Sequence, residues 1–86
     1  MDWTERYARA LAEAAGSGGP LDADEARDVL RLAREVAHRT ERVNAPLASF
    51  LAGRFLAERV RAGASPKDAL REAIALAESL LPPATD

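Results

Sequence analysis

Residues 34–56 read REVAHRTERVNAPLASFLAGRFL, and the fold turns on how this stretch is divided. It holds the lone histidine, His38, both phenylalanines, Phe50 and Phe55, and a break at Asn44-Ala45-Pro46 between two helical patterns. Upstream of the break, Ala26, Val29, Leu30, Ala33, Val36 and Ala37 recur on one face. At 100° per residue, Arg27, Arg31, Arg34, His38 and Arg42 fall within about 80° of one another on the other side. Glu35 and Arg39 flank this stripe as a favourable i,i+4 pair. Downstream, Leu47, Ala48, Phe50, Leu51, Ala52, Phe55 and Leu56 leave no wide polar face. A helix of that kind is buried on several sides, or it shows an apolar patch to a partner. Arg54, Glu58 and Arg61 open a polar side only in its C-terminal half. Pro46 suits the first position of this helix, where its missing N–H costs nothing. Gly53 costs about 1 kcal/mol against alanine, and its expected use is close approach of another helix.

The flanking sequence extends the pattern. Asp2 with Glu5, and Asp22 with Glu25, have the spacing of helix N-terminal capping boxes. Trp3, Tyr7, Ala10, Leu11 and Ala14 form one apolar stripe, ended by Gly16-Ser17-Gly18-Gly19-Pro20. Gly63 closes the third pattern. Ser65-Pro66-Lys67-Asp68 opens a fourth, with Ser as N-cap and Pro at the first helical position. Ala69, Leu70, Ala73, Ile74, Leu76, Ala77, Leu80 and Leu81 then share a face, and Pro82-Pro83 stops it. The expected architecture is an all-α, four-helix bundle-like domain with helices over about 2–15, 22–43, 46–62 and 65–81. The second and third helices are expected at its centre. Residues 82–86 are expected to form a frayed tail.

Eighty-six residues suit one domain with a small core. Hydrophobic residues make up 48% of the chain but aromatics only 5%, so its helices must approach closely to fill space. There is no cysteine, which excludes disulfides and thiolate metal sites. The start, MDWTERYA, lacks the apolar core of a signal peptide, and no run approaches the roughly 18 apolar residues of a membrane span. A cytoplasmic location without membrane association is expected. The net charge of -2 argues against nucleic acid as a partner. Its distribution is uneven: residues 1–25 sum to -4, residues 26–61 to +4 and residues 62–86 to -2.

Three kinds of chemistry are conceivable in this pattern. Arg31, Arg34, His38 and Arg42, with Arg27, suit planar oxyanion recognition of a phosphate, a nucleotide or an acidic surface; a solvated helix face is the plainer explanation. Glu35-x-x-His38-x-x-Glu41 contains the Glu-x-x-His spacing of di-iron bundles. The chain has one histidine and it points away from the apolar stripe, so no metal and no other cofactor is expected. His38 lacks a nucleophile or a second titrating group in a cleft, and GSGGP lacks the Lys of a phosphate loop, so no catalysis is expected. Phe50, Leu51, Phe55 and Leu56 are expected in the core, with a partner-facing patch as the alternative.

Ala37-His38, Glu41-Arg42, Ala45-Pro46-Leu47 and Phe50-Leu51-Ala52-Gly53 together form a pattern with a known likeness. It resembles a small all-helical domain of unknown function, found alone or fused to molybdenum-cofactor guanylyltransferase (molybdopterin-guanine dinucleotide biosynthesis) proteins. The resemblance covers roughly residues 2–81 and is sharpest in the central stretch. It implies an all-helical domain with a possible tie to molybdenum-cofactor maturation, and it does not imply catalysis. In the fused proteins the nucleotidyltransferase chemistry belongs to the other domain. His38, Glu41, Arg42 and Pro46 are the motif residues carried over, and they are candidates for binding or for fixing the helix–helix corner. The expected function is a non-enzymatic accessory or interaction domain, whose partner is a molybdenum-cofactor nucleotidyltransferase or a second copy of itself. The alternative is a module that binds a phosphate-bearing small molecule through the Arg/His face.

Overall fold

A computed structural model describes residues 2–83 and forms four α-helices: α1 (Trp3–Ala15), α2 (Ala23–Arg39), α3 (Asn44–Arg61) and α4 (Pro66–Leu80). The domain is all-α and bundle-like, with no strand among the described residues. Three helices start where local chemistry says they must. The carboxylates of Asp2 and Asp22 accept from the backbone N–H of Glu5 and Glu25 at 2.9 and 2.8 Å, and the Ser65 hydroxyl accepts from Asp68 at 3.1 Å. At Asp22 the box is reciprocal, since Glu25 takes the Asp22 N–H at 3.0 Å. α1 ends at Gly16, whose φ of 82° is left-handed and whose N–H bonds the Ala12 carbonyl.

The corner between α2 and α3 departs from expectation. α2 stops at Arg39 instead of continuing to residue 43, because Thr40 leaves the helical region (φ -135°, ψ -145°). The Thr40 hydroxyl donates to the Val36 carbonyl at 2.6 Å, and Asn44 Nδ2 donates to that hydroxyl at 3.2 Å. Backbone bonds from Asn44 to Glu41 and from Ala45 to Arg42 then lead into α3. α3 therefore begins at Asn44, and Pro46 is its third residue rather than its first. The placement still costs no hydrogen bond, since the first N–H groups of a helix have no helical acceptor.

The buried centre is small. Leu32 and Val36 of α2 meet Leu70 and Ile74 of α4, and Val29, Ala48, Ala52, Leu56, Ala77 and Leu81 close around them. The deepest positions thus come from α2 and α4, not from α2 and α3 as expected. α3 packs against both of these helices yet has no fully buried residue. Within α2 the apolar face is rotated from its expected position. Leu32, outside the expected stripe, is 3% exposed, whereas Leu30, inside it, is 70% exposed.

Two polar ties lock the helices. Arg59 of α3 forms a two-pronged ion pair with Glu72 of α4 (2.7 and 2.8 Å) while lying over the Phe55 ring. Arg39 donates through Nε to the Pro82 carbonyl at 2.8 Å and pairs with Glu35 at 3.4 Å. The first residue of the expected frayed tail is thereby held, while residues 84–86 lie outside the described residues. Among the described residues α1 makes no contact with another helix. The radius of gyration, 13.8 Å, accordingly exceeds the roughly 12 Å of a close-packed domain of this length.

Gly53 was expected at a close helix approach, but it is exposed on α3. A Cβ built there meets nothing within 4 Å among the described residues. Gly53→Ala will therefore raise stability by about 1 kcal/mol in chemical denaturation, while Leu32→Ala will lower it by about 2–5 kcal/mol. The ion pair makes a pH prediction. Hydrogen bonding and charge attraction from Arg59 hold the Glu72 carboxyl below its ordinary 4.5, with the hydrogen bond the larger cause. The stabilisation is then fully present above the unfolded-state value and is lost as pH falls through the folded one. Glu72→Gln will lower the urea midpoint at neutral pH and match the parent chain in acid well below the carboxylate range.

Candidate functional site

The structure divides the candidate residues into separate places. Arg27, Arg31, Arg34 and His38 are exposed along the outer face of α2, opposite the buried face that carries Leu32 and Val36. Arg27 pairs with Asp24 at 3.2 Å. Glu41 and Arg42 lie beyond the end of α2, exposed in the turn to α3, so the basic stripe stops at His38 and Arg42 does not extend it as a helical position. Among the described residues no three His, Asp or Glu side chains converge on a point that could hold a metal ion.

A cleft of about 230 Å³ runs between α2 and α4, lined by Arg31, Leu32, Glu35, Arg39, Ile74, Glu78 and Leu81. Sites for drug-sized ligands start at about 300 Å³. Glu35 already pairs with Arg39 there, and Arg39 is committed to Pro82, so the cleft is in large part a structural joint. Arg39 was read only as a flanking partner of Glu35. Its bond to a residue 43 positions away has no local signature in the sequence.

α3 separates the four apolar candidates. Phe55 and Leu56 are half-buried, with Leu56 against the core cluster. Phe50 and Leu51 were expected in the core but lie on the opposite side, 70% and 54% exposed. Leu47 is exposed with them, and Val43 stands exposed just before the helix. At 100° per residue Val43, Leu47, Phe50 and Leu51 fall within about 100° of one another, one continuous strip. Arg54 continues the strip, its guanidinium 5.6 Å from the centre of the Phe50 ring. Phe50 and Leu51 are excluded from the core because α2 and α4 occupy the other side of α3, where Ala48, Ala52 and Leu56 meet the cluster.

α1 presents a second such strip. Trp3, Tyr7 and Leu11 are all exposed, and the Trp3 and Tyr7 rings stack with centres 5.1 Å apart. Asp2 caps the strip at its start, and its carboxyl is held below the ordinary 3.8 chiefly by the Glu5 N–H and then by the Thr4 hydroxyl. No described helix is long and apolar enough to cross a membrane.

A family model described as a domain of unknown function, DUF6457, matches residues 1–85 of the chain. Neither a curated protein nor a solved structure matches it.

His38 and Arg39 are neighbours with opposite commitments, which gives a direct test. His38→Ala will change stability by less than about 0.5 kcal/mol. Arg39→Ala removes the bond to Pro82 and the pair with Glu35, and will cost about 1–2 kcal/mol in the same denaturation assay.

Proposed function

For a chain that belongs to the DUF6457 family of domains of unknown function, we propose the role of a non-enzymatic interaction domain that binds a protein partner through the outer face of α3. The observation that carries this reading is the exposed strip Val43, Leu47, Phe50 and Leu51. Isolated exposed apolar side chains are ordinary, but a continuous strip is the kind of surface that partners cover. Aromatic anchors bordered by arginine are also the composition that concentrates binding energy at interfaces, and Phe50 with Arg54 is such a pair.

The chemical class of partner follows from the likeness of the central stretch to domains fused to molybdenum-cofactor guanylyltransferases. The proposed partner is such a nucleotidyltransferase, and the proposed location is the cytoplasm. In this reading the domain supplies a docking surface and the partner supplies the chemistry. Calorimetric titration of this chain with a molybdenum-cofactor guanylyltransferase tests it. Saturable binding that weakens at least tenfold in Phe50→Glu is the expected result, equivalent to about 1.4 kcal/mol or more. Absence of binding by the parent chain removes the molybdenum-cofactor assignment.

A second reading has one observation in its favour: Arg31, Arg34 and His38 stand exposed on one helix face, available to a phosphate-bearing ligand. It is the weaker reading, because that face is convex and the adjoining cleft is small and internally paired.

A further inference from the structure

Among the described residues the strip on α1 meets no other helix, and the structure carries three observations on what covers it. The first is area. Folded monomers of 9.2 kDa expose about 4,900 Å² by the general size scaling, whereas this chain exposes 6613 Å². The excess, about 1,700 Å² per chain, is more than the roughly 800 Å² that each side contributes to a standard interface.

The second observation is orientation. The half-buried side of α1 is Glu5, Ala8 and Ala12, which lies opposite Trp3, Tyr7 and Leu11 on the helix. The connection to α2 returns along the alanine side, where a Cβ at Gly18 would stand 4.0 Å from the Ala12 Cβ. Gly16, Gly18 and Gly19 all hold positive φ in this connection. To lay its aromatic strip on its own core, α1 would have to roll by about half a turn and the connection would have to re-form.

The third is fit. Trp3 to Leu11 and Val43 to Leu51 each span about 12 Å of helix, so the two strips are of equal length. Among the described residues the chain thus carries two exposed apolar strips of matching length and does not join them.

We propose that the occupant is a second copy of this chain: two protomers exchange α1, each laying Trp3, Tyr7 and Leu11 across Leu47, Phe50 and Leu51 of the other. The contact is isologous, so one pair of strips is used twice and closes a two-fold dimer. This deepens the interaction-domain reading and rests on the same α3 face. A heterologous partner at that face would then compete with the exchanged α1, and the dimer would be its resting form.

The chain has no cysteine, so single thiols report contacts cleanly. Full-length Tyr7→Cys and Phe50→Cys variants, each alone and mixed, are treated with a short bifunctional maleimide. Efficient dimer cross-linking only in the mixture is the expected result. Equal dimer yield from either variant alone would mean like-on-like packing and overturn the exchange. Cross-linked monomer from the doubly substituted chain, undiminished on dilution, would mean closure within one chain and overturn it too. Trp3, the only tryptophan, gives a second measurement. Its emission should move to shorter wavelength as sedimentation shows dimer forming, and Phe50→Glu, at an exposed position, should abolish both changes while leaving the helical circular dichroism intact. A parent chain that sediments as a monomer at every concentration overturns the proposal. Because these experiments contain this chain alone, their failure leaves the guanylyltransferase titration to be judged separately.

Discussion

The contact of Leu32 and Val36 with Leu70 and Ile74 is what the rest of the structure depends on. It joins a helix from the first half of the chain to the last helix, and α3 rests across both. Everything between residues 40 and 65 has to bring α2 and α4 together at that contact. The Thr40–Asn44 corner and the Arg59–Glu72 pair are the means: one sets the direction in which α3 leaves α2, the other fixes α4 against α3. Neither contributes much energy alone, since an exposed ion pair is screened by water and a single hydroxyl bond replaces one made to water. Their value lies in register, which decides whether the four apolar side chains meet.

A centre this small has a consequence for the surface. Three helices of 15 to 18 residues present more apolar side than five buried residues and their half-buried neighbours can take up. α3 shows this most plainly, because both of its sides are apolar and only one finds a neighbour. Small bundles resolve such an excess by closing a fourth helix onto the open face or by associating. α1 has the composition of that fourth helix: amphipathic, aromatic and capped. It is nevertheless turned with its aromatic side outward, which keeps the apolar faces of α1 and α3 in search of a cover.

How legible this was depends on the range over which each feature is determined. The starts of α1, α2 and α4 were readable because a cap is made by residues three positions apart, as at Asp22 and Glu25. The end of α2 was not, since Thr40 is no helix breaker by type and ends the helix through a bond to Val36 and a neighbour in the next helix. The Leu30 and Leu32 exchange has a similar origin. Alanines and valines give α2 a broad stripe, and the partners Leu70 and Ile74 select which edge of it is buried. Phe50 and Phe55 could not be assigned to opposite sides by periodicity, because a helix apolar all round has no preferred direction until its neighbours are placed. His38, by contrast, was placed correctly on the polar side, since four residues of like character at helical spacing fix a face.

The stretch around the break therefore carries two different kinds of information. Up to Arg39 its residues serve the fold: Val36 lies in the core, and Arg39 holds the end of α4 through Pro82. Beyond the corner the same stretch supplies the most exposed aromatic strip of the three packed helices. A motif that joins an anchored half to an exposed half has a use that neither half has alone. The corner at Thr40–Asn44 sets where Leu47 and Phe50 stand relative to the rigid pair α2 and α4. A flexible loop at that position would show the same apolar residues at a cost in ordering entropy on binding. Mounted on the first turns of a helix packed against the core, they are held in place before any partner arrives.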